Sequence, residues 1–157
     1  MRKWLIAVIG SGHEPDRELL AKARRVGELL AENGYALITG GLGGVMEAAS
    51  AGVQSKGGLA VGVLPGPHPD QANRYVGIAI ATGLGEARNA VIATTADALI
   101  AVSGEYGTLS EIALALKLGK PVITLDSKWD QIEGTIRVDS PEEAIAHIQT
   151  LFPAPSR

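Results

Sequence analysis

Short apolar segments that alternate with helical patterns constrain the fold of this chain more than any other feature. Six segments predict strands: Trp4–Ile9, Tyr35–Thr39, Leu59–Leu64, Gly77–Ile80, Ala98–Val102 and Pro121–Leu125. Five patterns predict helices: Pro15–Glu32, Gly44–Lys56, Gly85–Thr95, Thr108–Leu118 and Pro141–Leu151. Continuously apolar segments are typical of strands buried on both faces. The alternation predicts parallel βαβ units, and therefore a three-layer α/β fold with a mostly parallel sheet of about six or seven strands.

Length and composition predict one domain over residues 1–152, followed by a frayed tail at 153–157. The chain contains no cysteine, which excludes disulfides and thiolate metal sites. A net charge of -3 without a cluster of Lys or Arg argues against a nucleic-acid partner. No apolar run approaches membrane-spanning length, and Trp4–Ile9 ends at Gly10 without a cleavage site. We therefore expect a cytoplasmic protein with no membrane partner.

Glycine-rich or polar turns follow four of the predicted strands. Gly10-Ser11-Gly12 follows the first, Gly40–Gly44 the second, Glu86–Asn89 lies beyond the fourth, and Ser103–Gly107 follows the fifth. Ligands of open parallel sheets bind beyond the carboxyl ends of the strands. Because all these turns meet at that edge, they predict a ligand that the backbone approaches closely.

The turn after the fifth strand predicts a phosphate site. Gly104 and Gly107 precede Thr108 and Glu111, which open a helix. Free N–H groups and the helix dipole both favour an anion at such a place. Glu111 is either a capping-box glutamate with Thr108 as N-cap, or a functional carboxylate. Tyr106 either stacks on a planar ligand or covers the turn.

Two further positions have two interpretations each. Arg88 is either a surface residue at a helix start or a guanidinium aimed across the strand ends at a phosphate or carboxylate. Glu47, together with its neighbour Met46, either contacts a base or is an ordinary first-turn residue.

Common cofactor motifs do not fit the chain. The first turn lacks the third glycine of a dinucleotide-binding motif, and the second strand ends without an acidic residue. The sequence GGLGGVME lacks the Lys-Ser/Thr ending of a phosphate-binding P-loop, and GxSxG is absent. His13, His68 and His147 have no metal-like spacing, so we expect no metal site.

The helix segment Ile112–Leu118 is apolar almost all round. One face has to pack on the sheet, and the other is left exposed in a monomer. The segment therefore predicts a homo-oligomer, a dimer or a tetramer, with the site close to the interface.

Four motifs, in order along the chain, resemble a known family. They are GGLGGVMEAA at Gly40–Ala49, LPG at Leu64–Gly66, EARNA at Glu86–Ala90 and EYGTLSEIALALKLGKPV at Glu105–Val122. The chain resembles the LONELY GUY or "possible lysine decarboxylase" superfamily of Rossmann-like SLOG proteins. It is most similar to the branch that includes the molybdenum cofactor carrier protein. This resemblance covers nearly the whole chain and implies a Rossmann-like nucleotide-binding domain.

The resemblance also implies site residues. In hydrolytic members a PGGxGTxxE motif binds the phosphate of a nucleoside 5′-monophosphate, and an arginine and a glutamate cleave the N-glycosidic bond. By position these are Arg88 and Glu111 as catalytic residues. Together with the turns, the resemblance gives these ligand-binding residues: Gly10, Ser11, Gly40, Gly41, Gly43, Gly44, Glu47, Asn89, Gly104, Tyr106, Gly107 and Thr108.

Three positions depart from the hydrolytic motif. Ser103 stands in place of proline, Glu105 in place of the second glycine and Asn89 in place of lysine. The last two each make the charge at the site more negative by one, which is unfavourable beside a phosphate unless the carboxylate is neutralised or points away.

Two functions therefore stay open for a site that binds a phosphorylated nucleotide-like ligand. One is a phosphoribohydrolase that needs no cofactor and is not a pyridoxal phosphate decarboxylase; Arg88, Thr108 and Glu111 favour it. The alternative is a non-catalytic carrier or sensor of a nucleotide or of a phosphorylated pterin such as molybdenum cofactor, which Glu105 and Asn89 favour. A structural oligomer with a decayed site is a third and weaker interpretation.

Overall fold

A computed structural model describes residues 2–154 and shows one seven-stranded sheet. The strands are β1 Leu5–Gly10, β2 Ala36–Thr39, β3 Ala60–Leu64, β4 Ile78–Ala81, β5 Ala98–Val102, β6 Val122–Leu125 and β7 Thr135–Val138. Their order across the sheet is β4-β3-β2-β1-β5-β6-β7, and every neighbouring pair is parallel. The predicted three-layer, Rossmann-like architecture is confirmed, with a fully parallel sheet.

Five helices cover the two faces of the sheet. They are α1 Arg17–Glu32, α2 Val45–Ser55, α3 Arg88–Thr95, α4 Tyr106–Lys117 and α5 Pro141–Leu151. Helices α1, α2 and α5 bury apolar side chains against one face, and α3 and α4 against the other. The strand order reverses direction between β1 and β5, and ligands bind at such a switch point in open sheets.

The helix starts differ from the predicted ones at two places that matter for the site. Helix α4 begins at Tyr106, two residues before Thr108. The segment Gly85–Ala87, predicted as part of α3, forms a separate 3-10 turn, and α3 begins at Arg88. Strand β7 was not among the six predicted segments.

The termini are described in part. The Trp4 indole donates a hydrogen bond to the Pro153 carbonyl oxygen at 3.3 Å, and its ring packs on Phe152. The rest of the predicted frayed tail, residues 155–157, lies outside the described residues, and the single-domain boundary at 152 stays a prediction. None of the helices in residues 2–154 combines the length and apolar character that a membrane span requires.

Candidate functional site

A cavity of about 290 Å³ opens at the carboxyl edge of the sheet, beyond β1, β2 and β5. It brings together eight of the predicted site residues: Gly10, Ser11, Gly40, Arg88, Asn89, Gly107, Thr108 and Glu111. Both predicted catalytic residues are therefore part of one cavity, together with the turns that follow two neighbouring strands. We call this space the edge cavity.

Arg88 is fixed inside the molecule at the first position of α3. Only 7% of the residue is exposed, so the interpretation of Arg88 as a surface residue is wrong. Its Nε donates to the Val63 carbonyl oxygen at 3.1 Å, and its Nη1 donates to the Asn89 side-chain oxygen. Within residues 2–154 its Nη2 donates to no acceptor. One edge of the guanidinium is thus anchored, and the other keeps donors for a ligand.

Gly40, the first residue of the turn after β2, lies against the guanidinium of Arg88. A Cβ atom at Gly40 would lie 2.7 Å from Arg88 Nη2 and 2.7 Å from the Met46 sulfur. Such distances are far below van der Waals contact, so a larger residue would displace the guanidinium. The structure therefore gives a physical reason for one glycine of the predicted ligand-binding set.

Asn89 connects α3 to the first turn of α4. Its side-chain nitrogen donates to Ser110 Oγ at 3.2 Å, and Ser110 Oγ donates to the Gly107 carbonyl oxygen at 2.7 Å. With the bond from Arg88, this makes a continuous chain of hydrogen bonds from the guanidinium to the glycine turn. Asn89 lines the edge cavity, and both of its side-chain polar atoms bond to protein groups; its contact with a ligand stays a prediction.

Glu111 is a buried carboxyl that lines the edge cavity. It lies in the second turn of α4, whose N-cap is Glu105, so the capping-box interpretation with Thr108 as N-cap is wrong. Burial raises the pKa of Glu111 to about 8; the positive charge of Arg88 opposes the shift, and the negative charge of Glu86 adds to it. At neutral pH the carboxyl is therefore mostly protonated. Within residues 2–154 it accepts no hydrogen bond, which leaves it available to a ligand.

The first turn of α4 offers uncompensated hydrogen-bond donors. No side chain caps the helix, and the N–H groups of Tyr106, Gly107 and Thr108 have no acceptor among residues 2–154. The chain reaches this turn through two residues with positive φ, Ser103 at 56° and Gly104 at 116°. The Ser103 hydroxyl is buried and has no protein partner in the described part of the chain. Free N–H groups at a helix start bind anions such as phosphate.

The extra carboxylate of Glu105 is neutralised by Lys128. The Lys128 ammonium lies 2.7 Å from a Glu105 carboxylate oxygen, and both side chains are largely exposed. The Trp129 indole donates to the Glu105 carbonyl oxygen at 3.2 Å and holds the same segment. The departure from the hydrolytic motif at Glu105 is thus compensated by a cation that follows β6.

Six predicted ligand-binding residues do not line the edge cavity. Tyr106 is 78% exposed, and its ring packs on Trp129 with 5.9 Å between centroids. The other five, on or beside the two glycine turns, are Gly41, Gly43, Gly44, Glu47 and Gly104. Gly44 and Glu47 line a second cavity of about 470 Å³ between α1 and α2.

Some lining residues were not in the predicted set. Five of them are Gly12, His13, Leu42, Glu86 and Glu105, and Met46, which the sequence offered as a base contact beside Glu47, lines the cavity as well. Gly12 and His13 directly follow the first predicted strand, so their position at the carboxyl edge was a usable signal. The sequence gives no indication that Leu42 lines a ligand site, because an apolar residue in a glycine turn is expected to pack against the core.

Nothing in residues 2–154 resembles a metal centre, since no three His, Cys, Asp or Glu side chains are grouped as ligands.

Comparisons with known proteins show the family and support the fold. The model of the SLOG cluster4 family matches residues 3–150. The molybdenum cofactor binding protein of Rippkaea orientalis has a solved structure with a TM-score of 0.91 and 39% identity, over 96% of this chain and 98% of that chain. The molybdenum cofactor carrier protein of Chlamydomonas reinhardtii gives a TM-score of 0.88 and 36% identity over the same shares. The cytokinin riboside 5′-monophosphate phosphoribohydrolase of Mycobacterium marinum is 31% identical over 84% of this chain and 75% of its own length.

Proposed function

The chain belongs to the SLOG cluster4 family, and from this we propose that it binds a small phosphorylated ligand in the edge cavity. One observation carries the proposal: the N–H groups of Tyr106, Gly107 and Thr108 have no protein acceptor among the described residues, and Arg88 Nη2 is equally without one. A phosphate dianion would use the N–H donors of the helix start and the charge of the guanidinium together.

We propose further that the ligand is a phosphorylated pterin such as molybdenum cofactor, which the protein carries without turning it over. Similar proteins of Rippkaea and Chlamydomonas bind or carry that cofactor. The raised pKa of Glu111 is compatible with a carrier, because a neutral carboxyl does not repel a phosphate at neutral pH.

A direct experiment compares the phosphorylated pterin with its dephosphorylated form in binding titrations. We expect the phosphorylated form to bind at least about tenfold more tightly, a difference of about 1.4 kcal/mol, because only it reaches the helix start. Arg88→Lys is the sharpest variant, because it keeps the charge but loses the bonds to Val63 and Asn89 that aim it. Equal binding of the two pterins to the unaltered protein would contradict the proposal.

Hydrolysis of a nucleoside 5′-monophosphate is the second candidate, and the presence of Arg88 and Glu111 in one cavity favours it. The Mycobacterium relative carries the name of such a hydrolase. The test is to incubate the protein with a panel of nucleoside 5′-monophosphates and to measure free base and ribose 5-phosphate. Turnover that Glu111→Gln abolishes while binding persists would establish the hydrolase. No turnover above buffer would exclude it for those substrates.

We also propose that the protein is a homo-oligomer joined through α4. Ile112 and Ala115 of α4 face the sheet, and Leu118 is 49% exposed at the end of the helix. On edge strand β4, Ile78 and Ile80 are exposed as well; Ile80 is paired with Val63, which belongs to the core beneath α3 and α4. A second copy would cover this apolar surface. Light scattering that shows a monomer at micromolar concentration would contradict this proposal. The cytoplasmic location and the lack of a nucleic-acid partner stay predictions.

A further inference from the structure

The edge cavity is small for a complete nucleotide-like ligand. Its volume of about 290 Å³ is at the lower limit of the range of roughly 300–1,000 Å³ that small-molecule sites occupy. The α4 turn, Arg88 and Glu111 account for the phosphate and the group attached to it. A fused ring at the other end of the ligand needs additional space.

The second cavity supplies such space next to the edge cavity. Its volume is about 470 Å³, and the two cavities share Gly12 and His13 in their linings. It lies between the N-terminal parts of α1 and α2, and Tyr75 closes one side. The segment with Gly12 and His13 is thus the wall that the two cavities share, and a ligand that extends across the top of this wall would contact both cavities. We call the second cavity the helix cavity.

The floor of the helix cavity is apolar and made of small residues. Leu20 and Ala21 of α1 and Ala48 and Ala51 of α2 contribute to it. In α1 these positions, with Arg17 and Arg24, are spaced three and four residues apart and share one face of the helix. Small side chains leave a flat surface, on which a planar ring packs well.

The charged groups around that floor are balanced. Arg17 and Arg24 bring two positive charges, and Glu14 and Glu47 bring two negative ones. Within residues 2–154 Arg17 forms no ion pair, so its donors are available. A balanced rim does not favour a second phosphate. It suits an uncharged ring whose edge carries hydrogen-bond donors and acceptors, and guanidinium and tyrosine planes stack on such rings.

We propose that the helix cavity holds the bicyclic heteroaromatic ring of the ligand, with the phosphate at the first turn of α4. This inference rests on the proposed function and adds to it the part of the molecule that recognises the base or pterin. In it Arg17 donates to the ring edge, Glu14 and Glu47 accept from it, and the alanine floor supports its plane.

The test uses two probes of different length. Ribose 5-phosphate fills only the edge cavity, whereas GMP adds a guanine, whose amino-oxo-pyrimidine edge is the same as that of a pterin. Calorimetric titration of the unaltered protein is expected to show that GMP binds about tenfold or more tightly than ribose 5-phosphate, since the stacked ring of GMP is removed from water.

The discriminating variant is Ala21→Trp, which fills the helix cavity from an exposed position of α1. We expect it to remove the advantage of GMP and to leave the affinity for ribose 5-phosphate unchanged within about twofold. Ala146→Trp is the matched control, because Ala146 is equally exposed on a helix but lines neither cavity. Arg17→Ala, at another exposed position, is expected to weaken the binding of GMP but not that of ribose 5-phosphate. It provides a second test of the inference if Ala21→Trp fails to fold.

The outcomes separate this inference from the proposed function. If both probes bind and Ala21→Trp keeps the GMP advantage, the ring lies elsewhere, and only this inference is overturned. An unaltered protein that binds both probes equally well also overturns it. If neither probe binds the unaltered protein, this inference is overturned, and the titration with the two pterins decides the proposed function separately.

Discussion

The two glycine turns at the carboxyl edge of the sheet look alike in sequence, and each leads into a helix that no side chain caps. They differ in degree: within residues 2–154, one of the first three N–H groups of α2, that of Val45, has an acceptor, whereas none of the first three of α4 does. The Gly40–Gly44 turn is tied to the rest of the protein: Asn73 donates to the carbonyl oxygens of Gly41 and Leu42, and the Val45 N–H donates to the Ser11 carbonyl oxygen. The Ser103–Gly107 turn leads into a helix whose first N–H groups have no acceptor within residues 2–154.

This difference assigns the turns to different tasks. A turn whose backbone groups bond to the protein contributes to stability, and its loss unfolds the site. A turn whose N–H groups have no protein acceptor is able to bind an anion, because a hydrogen bond to a ligand stabilises an unpaired N–H group most. We therefore expect the first turn to shape the site and the second to bind the phosphate.

The largest expected effect is that of Gly44→Ala in the first turn. Gly44 has a positive φ of 62°, and an added Cβ would lie 2.2 Å from the Ser11 carbonyl oxygen. We expect a loss of about 3 kcal/mol or more in the free energy of unfolding, measured by denaturant titration. The control is Ser103→Ala in the second turn, which removes a hydroxyl without a partner and should change stability by less than about 1 kcal/mol. Equal losses in the two turns would refute the distinction.

The next effect concerns pH. Because the pKa of Glu111 is raised from 4.5 to about 8 in the folded protein, the folded state holds a proton that the unfolded state releases. The stability from this group is complete below about pH 4.5 and is lost as the pH rises to about 8. We expect Glu111→Gln to flatten the decline and to be more stable than the unaltered protein above pH 8. Thermal unfolding across this pH range measures the decline in stability. If Glu111→Gln and the unaltered protein lose stability equally with pH, Glu111 is not a buried carboxyl with a raised pKa.

A smaller loss of stability is expected for Asn73→Ala. Its side-chain nitrogen donates to Leu42 at 2.9 Å and to Gly41 at 3.3 Å, and its side-chain oxygen accepts from the Tyr75 N–H at 3.0 Å. Loss of these bonds should cost about 1–3 kcal/mol in the free energy of unfolding. Leu42 lines the edge cavity, so ligand affinity should fall as well. Asn73→Asp keeps the oxygen that accepts from the Tyr75 N–H but loses the nitrogen that donates to Gly41 and Leu42. It should show most of the loss in the free energy of unfolding.

The smallest effect is expected for Lys128→Ala at the second turn. Stability should change by less than about 1 kcal/mol, because the ion pair with Glu105 is exposed. Affinity for ribose 5-phosphate should fall by about threefold to tenfold, since the Glu105 charge is then unopposed near the phosphate. Removing both charges, in Glu105→Gly with Lys128→Ala, should restore most of it. If the double variant binds ribose 5-phosphate as weakly as Lys128→Ala alone, Lys128 does not act by compensating the charge of Glu105.

The sequence predicts the first six strands to within about two residues, because continuous apolar runs between turn residues have few alternative structures. Strand β7, Thr135–Val138, alternates polar and apolar residues at the edge of the sheet, where that signal is weak. Arg88 and Glu111 were found as candidates, yet their burial comes from tertiary packing, which no local pattern shows. The bond between Lys128 and Glu105 spans 23 positions of the chain and was not predictable from either residue.

The helix cavity was missed for a related reason. The spacing of Arg17, Ala21 and Arg24 is that of any helix face, so nothing local separates a ligand surface from a solvated one. The surroundings of Tyr106 also depend on tertiary structure, and its contact with a ligand stays a prediction. Tyr106 stands inside a ligand-binding motif, but the start of α4 two residues earlier turns it outward onto Trp129.

Backbone amide NMR during titration with ribose 5-phosphate tests most directly whether the second turn binds the phosphate. We expect the largest shifts at the amides of Tyr106, Gly107 and Thr108, with little change at Gly41 and Gly43. Shifts confined to the Gly40–Gly44 turn, or saturation without shifts at the start of α4, would contradict the division of tasks between the two turns.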